Sequence, residues 1–204
     1  MKPTAHPFRY PTEARGRVHG PAGYKDYVSY RPWLEDEFLF RCVYCLKRQK
    51  WARTDIWSVE HLVPQSEAPE LACNYDNLVL ACQRCNSRKL DDTLPDPAAL
   101  AYGKCLQVDD ASAEVRPLND DGRLLIRALR LNDLDQVRYR RDIMRDLEIM
   151  ARCAPEVWRD KMGFPEELPN LHRRIPPGGN TRPAGVEQSC HARKARGELP
   201  DVYE

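Results

Sequence analysis

The stretch WSVEHLVPQS, residues 57–66, sets an acid and a histidine side by side on a short apolar run that stops at a proline. Its alternation predicts a strand over Trp57 to Val63, ended by Pro64. Neighbouring strand residues point to opposite faces, so Glu60 and His61 can serve one cleft only where a strand end or bulge re-aims one of them. Cysteine pairs of identical spacing bracket the run: Cys42-x-x-Cys45 before it and Cys82-x-x-Cys85 after it. Four thiolates are what a closed, tetrahedral structural zinc site requires. Cys45 and Cys82 are 36 residues apart, not counting themselves. The metal would therefore clamp both ends of an inserted element and offset a core too small to order this segment alone. A zinc ion with four sulfur ligands has no open position for a reactive water. Chemistry then falls to Glu60, His61, Asn77 and Asn86.

Outward from this centre, RPWLEDEFLFRC (31–42) predicts a helix starting near Pro32, with Trp33, Leu34, Phe38 and Leu39 on one face. QKWARTDIWSVEHLVP predicts two short strands divided near Thr54 and Asp55. LVLACQRCNSRKLDDTL predicts an extended approach feeding a helix from about Gln83. GKCLQVDD and AEVRPLNDDGRLL predict two further strands, with NDDG as the next reversal. From Asn132, read as the N-cap, apolar residues at helical spacing predict the longest helix of the chain. Beyond Ala154, proline and glycine argue against regular structure in a tail that lies across the fold. The fold class is α+β.

Composition bounds the function. The 204 residues carry 32 Lys and Arg against 31 Asp and Glu, a net charge of +1, so total charge makes no case for nucleic acid. Its distribution does more: Arg41, Lys47, Arg48, Lys50 and Arg53 form an acid-free basic run, and a second basic stretch, with Glu187 as its one acid, lies between Arg173 and Arg196. No apolar run approaches the roughly 20 residues of a membrane-spanning helix. The polar N-terminal residues lack the pattern of a signal peptide, so a cytoplasmic location, with no membrane partner, is expected. In that reducing compartment eight cysteines point to metal rather than disulfides.

VEHLVPQS followed by YDNLVLACQRCNSRK resembles the HNH endonuclease family and its ββα-metal unit over about residues 41–92. The resemblance implies that His61 is the general base that deprotonates the water attacking a phosphodiester. It implies that Glu60 and Asn86 bind a catalytic divalent ion, magnesium or another, and that Asn77 fixes the loop and orients the histidine. Arg88 and Lys89, one turn along the helix, together with Lys47, Arg48 and Lys50, are the candidate phosphate contacts. A family-typical glycine-rich turn after the Pro-x-Ser is replaced here by EAPELACNYDN.

The chain then divides into a lead-in (1–30), a nuclease core with its zinc (31–97), an accessory β and helical region packed on the core (98–153) and a basic tail (154–204). The expected activity is metal-dependent hydrolysis of DNA, by nicking or double-strand cleavage, the latter calling for a homodimer or sequential cuts. Two alternatives stand beside it: a zinc-stabilised module that binds nucleic acid or protein without catalysis, and a nuclease subunit activated by a regulatory partner in a defence or restriction system.

Overall fold

The computed structural model describes residues 5–52, 54–177 and 185–203, so Arg53 and Arg182 of the basic runs lie outside the described residues. The architecture is α+β. The first helix, α1 (Arg31–Glu37), carries Pro32 in its first turn, where a missing N–H costs nothing, and buries Trp33 and Leu34 completely. Leu39 and Phe40 then take up left-handed backbone at φ 53° and 55°, turning the chain sharply into the first cysteine pair.

That pair sits on a tight knuckle. The Cys42 N–H donates to Lys47 O at 2.8 Å, the Leu46 N–H to Cys42 O at 3.0 Å, and Arg41 bridges Arg48 across the base. Val43 N–H donates to Leu80 O, which fastens the knuckle to a central hairpin of β1 (Trp57–His61) and β2 (Leu78–Cys82). The two strands are antiparallel, with Trp57 opposite Cys82 and His61 opposite Leu78. All five residues of β2 are buried, which explains why it reads as continuous LVLAC without polar alternation. The extended segment before β1 is not a strand: Gln49–Trp51 is a 3₁₀ turn, and Trp51 donates through Nε1 to Lys161 O rather than joining a ladder.

Directly after β2 comes α2 (Gln83–Lys89), giving the ββα order. A second hairpin, β3 (Leu106–Val108) with β4 (Val115–Pro117), follows as expected. NDDG, however, opens a helix instead of closing a turn: Asn119 caps α3 (Asp120–Leu129) by accepting from Gly122 N–H at 3.0 Å. Gly122 is needed there because a Cβ would lie 2.0 Å from Cys105 O. The long helix, α4 (Leu134–Cys153), is present, but Asp133 precedes it as the cap. Asn132 turns away and exchanges two hydrogen bonds with the Val115 backbone at 2.8 Å each.

Regular structure does continue past Ala154, contrary to the composition. Pro155 starts α5 (Pro155–Met162), and Ser189 caps α6 (Cys190–Ala195). These segments are held by specific contacts that a composition cannot show. Arg48 donates to Met162 O at 2.6 Å and lies 4.0 Å from the Tyr203 ring centroid, and Cys190 N–H donates to Asp36 on α1. No helix among the described residues is long and apolar enough to cross a membrane.

Candidate active site and metal centre

The four paired cysteines meet. Cys42 and Cys45 come from the knuckle, Cys82 from the end of β2 and Cys85 from the first turn of α2, and their sulfur atoms all lie within 4.8 Å of one another. All four are buried. Burial and the neighbouring sulfurs push the Cys42 thiol well up, whereas hydrogen bonds from the other three sulfurs pull Cys82 far below the thiol range. Such a cluster cannot ionise fully without a compensating cation, and four convergent thiolates are the donor set of structural zinc. It is the one group of three or more metal-ligating His, Cys, Asp or Glu side chains among the described residues. The clamp joins the knuckle, β2 and α2, and thereby sets the angle of the helix that carries Asn86 and Lys89.

Beyond the cysteines, β1 delivers Glu60 and His61. No bulge separates them, since the ladder runs in register through both. Instead the strand ends at His61, and the Glu60 side chain curls along it so that Oε1 accepts from the His61 N–H at 3.0 Å. The same oxygen lies 3.4 Å from Lys89 Nζ on α2. Burial raises the Glu60 carboxyl above its ordinary range, and the lysine charge opposes that rise. His61 points across to the following loop, where Nε2 meets Ala72 O at 2.9 Å and the ring packs edge-on to Tyr27, centroids 4.8 Å apart. A carbonyl only accepts, so Nε2 carries the proton and Nδ1 keeps its lone pair, with the Gln65 amide 3.3 Å away. Burial lowers the imidazole below its ordinary range, the Ala72 hydrogen bond opposes this and the Lys89 charge adds to it, a balance that favours the neutral ring.

Asn77 acts on the loop. Its Oδ1 accepts from Val63 N–H at 2.8 Å, and its Nδ2 donates to Val63 O at 3.0 Å and more weakly to Leu71 O at 3.4 Å. Leu71 precedes the residue whose carbonyl holds His61, so one buried amide fixes both the strand end and the loop that sets the imidazole. Asn86 is half-buried on α2, and its side chain makes no hydrogen bond among the described residues.

The basic residues are placed differently from the expected phosphate-binding face. Lys89 has no exposed surface at all, because Glu60 draws it inward. Arg48 and Lys50 are buried under the C-terminal segments, Lys50 donating to Asp160 at 2.7 Å and to Phe164 O at 3.1 Å. Lys47 pairs with Asp55, and Arg88 with Asp133 at 3.2 Å. Apart from Asp55, eight residues from Lys47, those acids and carbonyls come from distant sequence, so the basic runs could not reveal that their charges are used internally. Tyr27, Gln65 and the Ala72 carbonyl are neighbours of His61 that sequence reasoning missed. Gln65, four residues after His61 within PQS, is the one with a local signal.

Comparison with known proteins agrees with this geometry. Residues 42–92 match the family model of the HNH endonuclease. The Septu protein PtuB of Bacillus thuringiensis is 30% identical over 113 residues, covering 50% of this chain and 40% of that protein, so the chain spans less than half of its relative's length. That match is about twice as long as the HNH segment. No solved structure matches. Residues 42–92, with their ββα order and buried four-cysteine cluster, are an HNH endonuclease domain.

Proposed function

We propose that the protein is a metal-dependent endonuclease that hydrolyses phosphodiester bonds of DNA, with His61 as the general base. The observation that carries this reading is the contact of His61 Nε2 with Ala72 O, which assigns the proton to Nε2 and leaves Nδ1, beside the Gln65 amide, as the basic nitrogen. That nitrogen would take the proton of an attacking water, work for which a near-neutral imidazole suits and which contributes about 10²–10⁴-fold in rate. Asn77 is the positioning residue that holds the loop. Glu60 and Asn86 would hold the divalent ion: a carboxylate and an otherwise unengaged amide are hard oxygen donors of the kind magnesium takes. When bound, such an ion supplies charge neutralisation at the phosphate and stabilises the leaving oxygen. Lys89, fixed beside Glu60, keeps that carboxylate in place and adds positive potential from within.

A second reading, a subunit whose nuclease is activated by a partner in a defence or restriction system, is supported by two observations. Similarity to the Septu protein extends well beyond the HNH segment. Arg84 and Arg88 on the site helix pair with Asp135 and Asp133 at the start of α4, at 2.7 and 3.2 Å, so that a partner docking on the accessory helices has a route to α2.

The test is incubation of supercoiled plasmid with the purified protein and magnesium or manganese. Nicked or linear product, abolished by chelation, is expected of the stand-alone enzyme. Retarded but intact plasmid under every divalent ion would favour the binding module instead.

A further inference from the structure

A cavity of about 350 Å³ lies away from the Glu60 and His61 cleft, between the N-terminal lead-in, the end of α1, the knuckle and α6. Neither those two residues nor the clustered cysteines line it. Phe38, Leu46 and Tyr102 give it apolar and aromatic walls, while Arg15 and Arg41 reach it from one side. Two of the wall residues, Leu39 and Leu46, hold left-handed backbone at φ 53° and 60°, a conformation that side-chain-bearing residues keep only under constraint.

Its polar groups are unevenly satisfied. Asp36 is committed to His19 Nε2 and the Cys190 N–H, and Glu37 to the Val18 and His19 N–H groups and the Tyr75 hydroxyl. Glu13 also lines the cavity, and so does Arg193, which donates to Glu198 O; neither Arg15 nor Arg41 makes an ion pair among the described residues. Arg41 has only the Tyr203 ring, 6.0 Å from its guanidinium carbon, and burial and the Arg15 charge both lower its affinity for its proton. Two guanidiniums without an ion-pair partner, beside apolar and aromatic walls, are what an anion with an apolar body would complete.

We propose that this cavity binds a small organic anion. Its phosphate or carboxylate lies against Arg15 and Arg41, and its apolar or aromatic body fills the space between Phe38, Leu46 and Tyr102. The inference is independent of whether His61 cleaves DNA.

The probe is 8-anilinonaphthalene-1-sulfonate, an aromatic body with one anionic group, titrated into the full-length native protein with fluorescence detection. Its uncharged counterpart, N-phenyl-1-naphthylamine, is the control. Saturable binding near one per chain is expected, displaced by phenyl phosphate or by benzoate, with the stronger competitor identifying the anion. Arg15 is exposed and unpaired, so Arg15→Gln should leave the melting temperature unchanged while weakening the probe about tenfold, the loss of one charge-assisted contact. Arg15→Glu should weaken it further. Absence of saturable binding, equal binding of the neutral counterpart, failure of both competitors, or an affinity untouched by Arg15→Gln would each overturn the proposal.

Discussion

Asn77 and Val63 exchange two hydrogen bonds, the Asn77 Oδ1 accepting from the Val63 N–H at 2.8 Å and its Nδ2 donating to the Val63 carbonyl at 3.0 Å. A side-chain amide thus extends the hairpin just past the His61–Leu78 pair at which the β1–β2 ladder ends. Asn77→Ala would leave buried backbone groups unpaired, at a cost of roughly 1–3 kcal/mol. Asn77→Asp keeps the acceptor and should recover part of that loss. Denaturant unfolding of the three proteins checks the order, and a cleavage assay should show a rate loss in Asn77→Ala larger than any change in substrate affinity.

The buried pair of Glu60 and Lys89 gives a second prediction. Removing one partner of a buried ion pair leaves an uncompensated charge, a loss of about 3–5 kcal/mol. Lys89→Met, which keeps the volume and removes the charge, should destabilise the domain by that order. The double variant Glu60→Gln with Lys89→Met should recover most of it. Additive losses in that double-mutant cycle would show that the two groups do not interact.

The cysteines predict a pattern of thiol reactivity. Cys153 is exposed and Cys73 half-buried, while the other six are buried. Modification with a disulfide reagent in native buffer should therefore reach Cys153 first and Cys73 more slowly. Zinc chelation should release Cys42, Cys45, Cys82 and Cys85, adding four reactive thiols. Metal analysis before chelation should find about one zinc per chain, and Cys82→Ser should lose both the metal and the folded domain.

How much of this was legible in the sequence varies with how local the cause is. The cysteine pairs, the Trp57 strand, α2 from Gln83 and the β3–β4 hairpin follow from spacing and periodicity, because their determinants sit within a few residues of one another. NDDG reads as a turn yet starts a helix, because a capping Asn followed by a glycine serves either equally well. The choice was made by packing, with Gly122 lying against Cys105 O. The inward fate of Arg48, Lys50 and Lys89 depends on Met162, Asp160 and Glu60, partners on other elements. At the candidate site Glu60, His61 and Asn77 are expected from the sequence to work together, and the structure places Glu60 beside His61 and Asn77 on the loop that holds it. What could not be read was how an acid and a histidine adjacent on a regular strand approach one cleft. The Glu60 side chain does this by folding back along the strand to the His61 amide.

The central claim is that His61, held by Ala72, is the base of a nuclease. The direct measurement is the single-turnover rate of plasmid cleavage in magnesium by wild type and His61→Ala, each shown to carry one zinc and to melt at a similar temperature. The rate should fall by about 10²–10⁴-fold in the variant. Equal rates in the two proteins would contradict it.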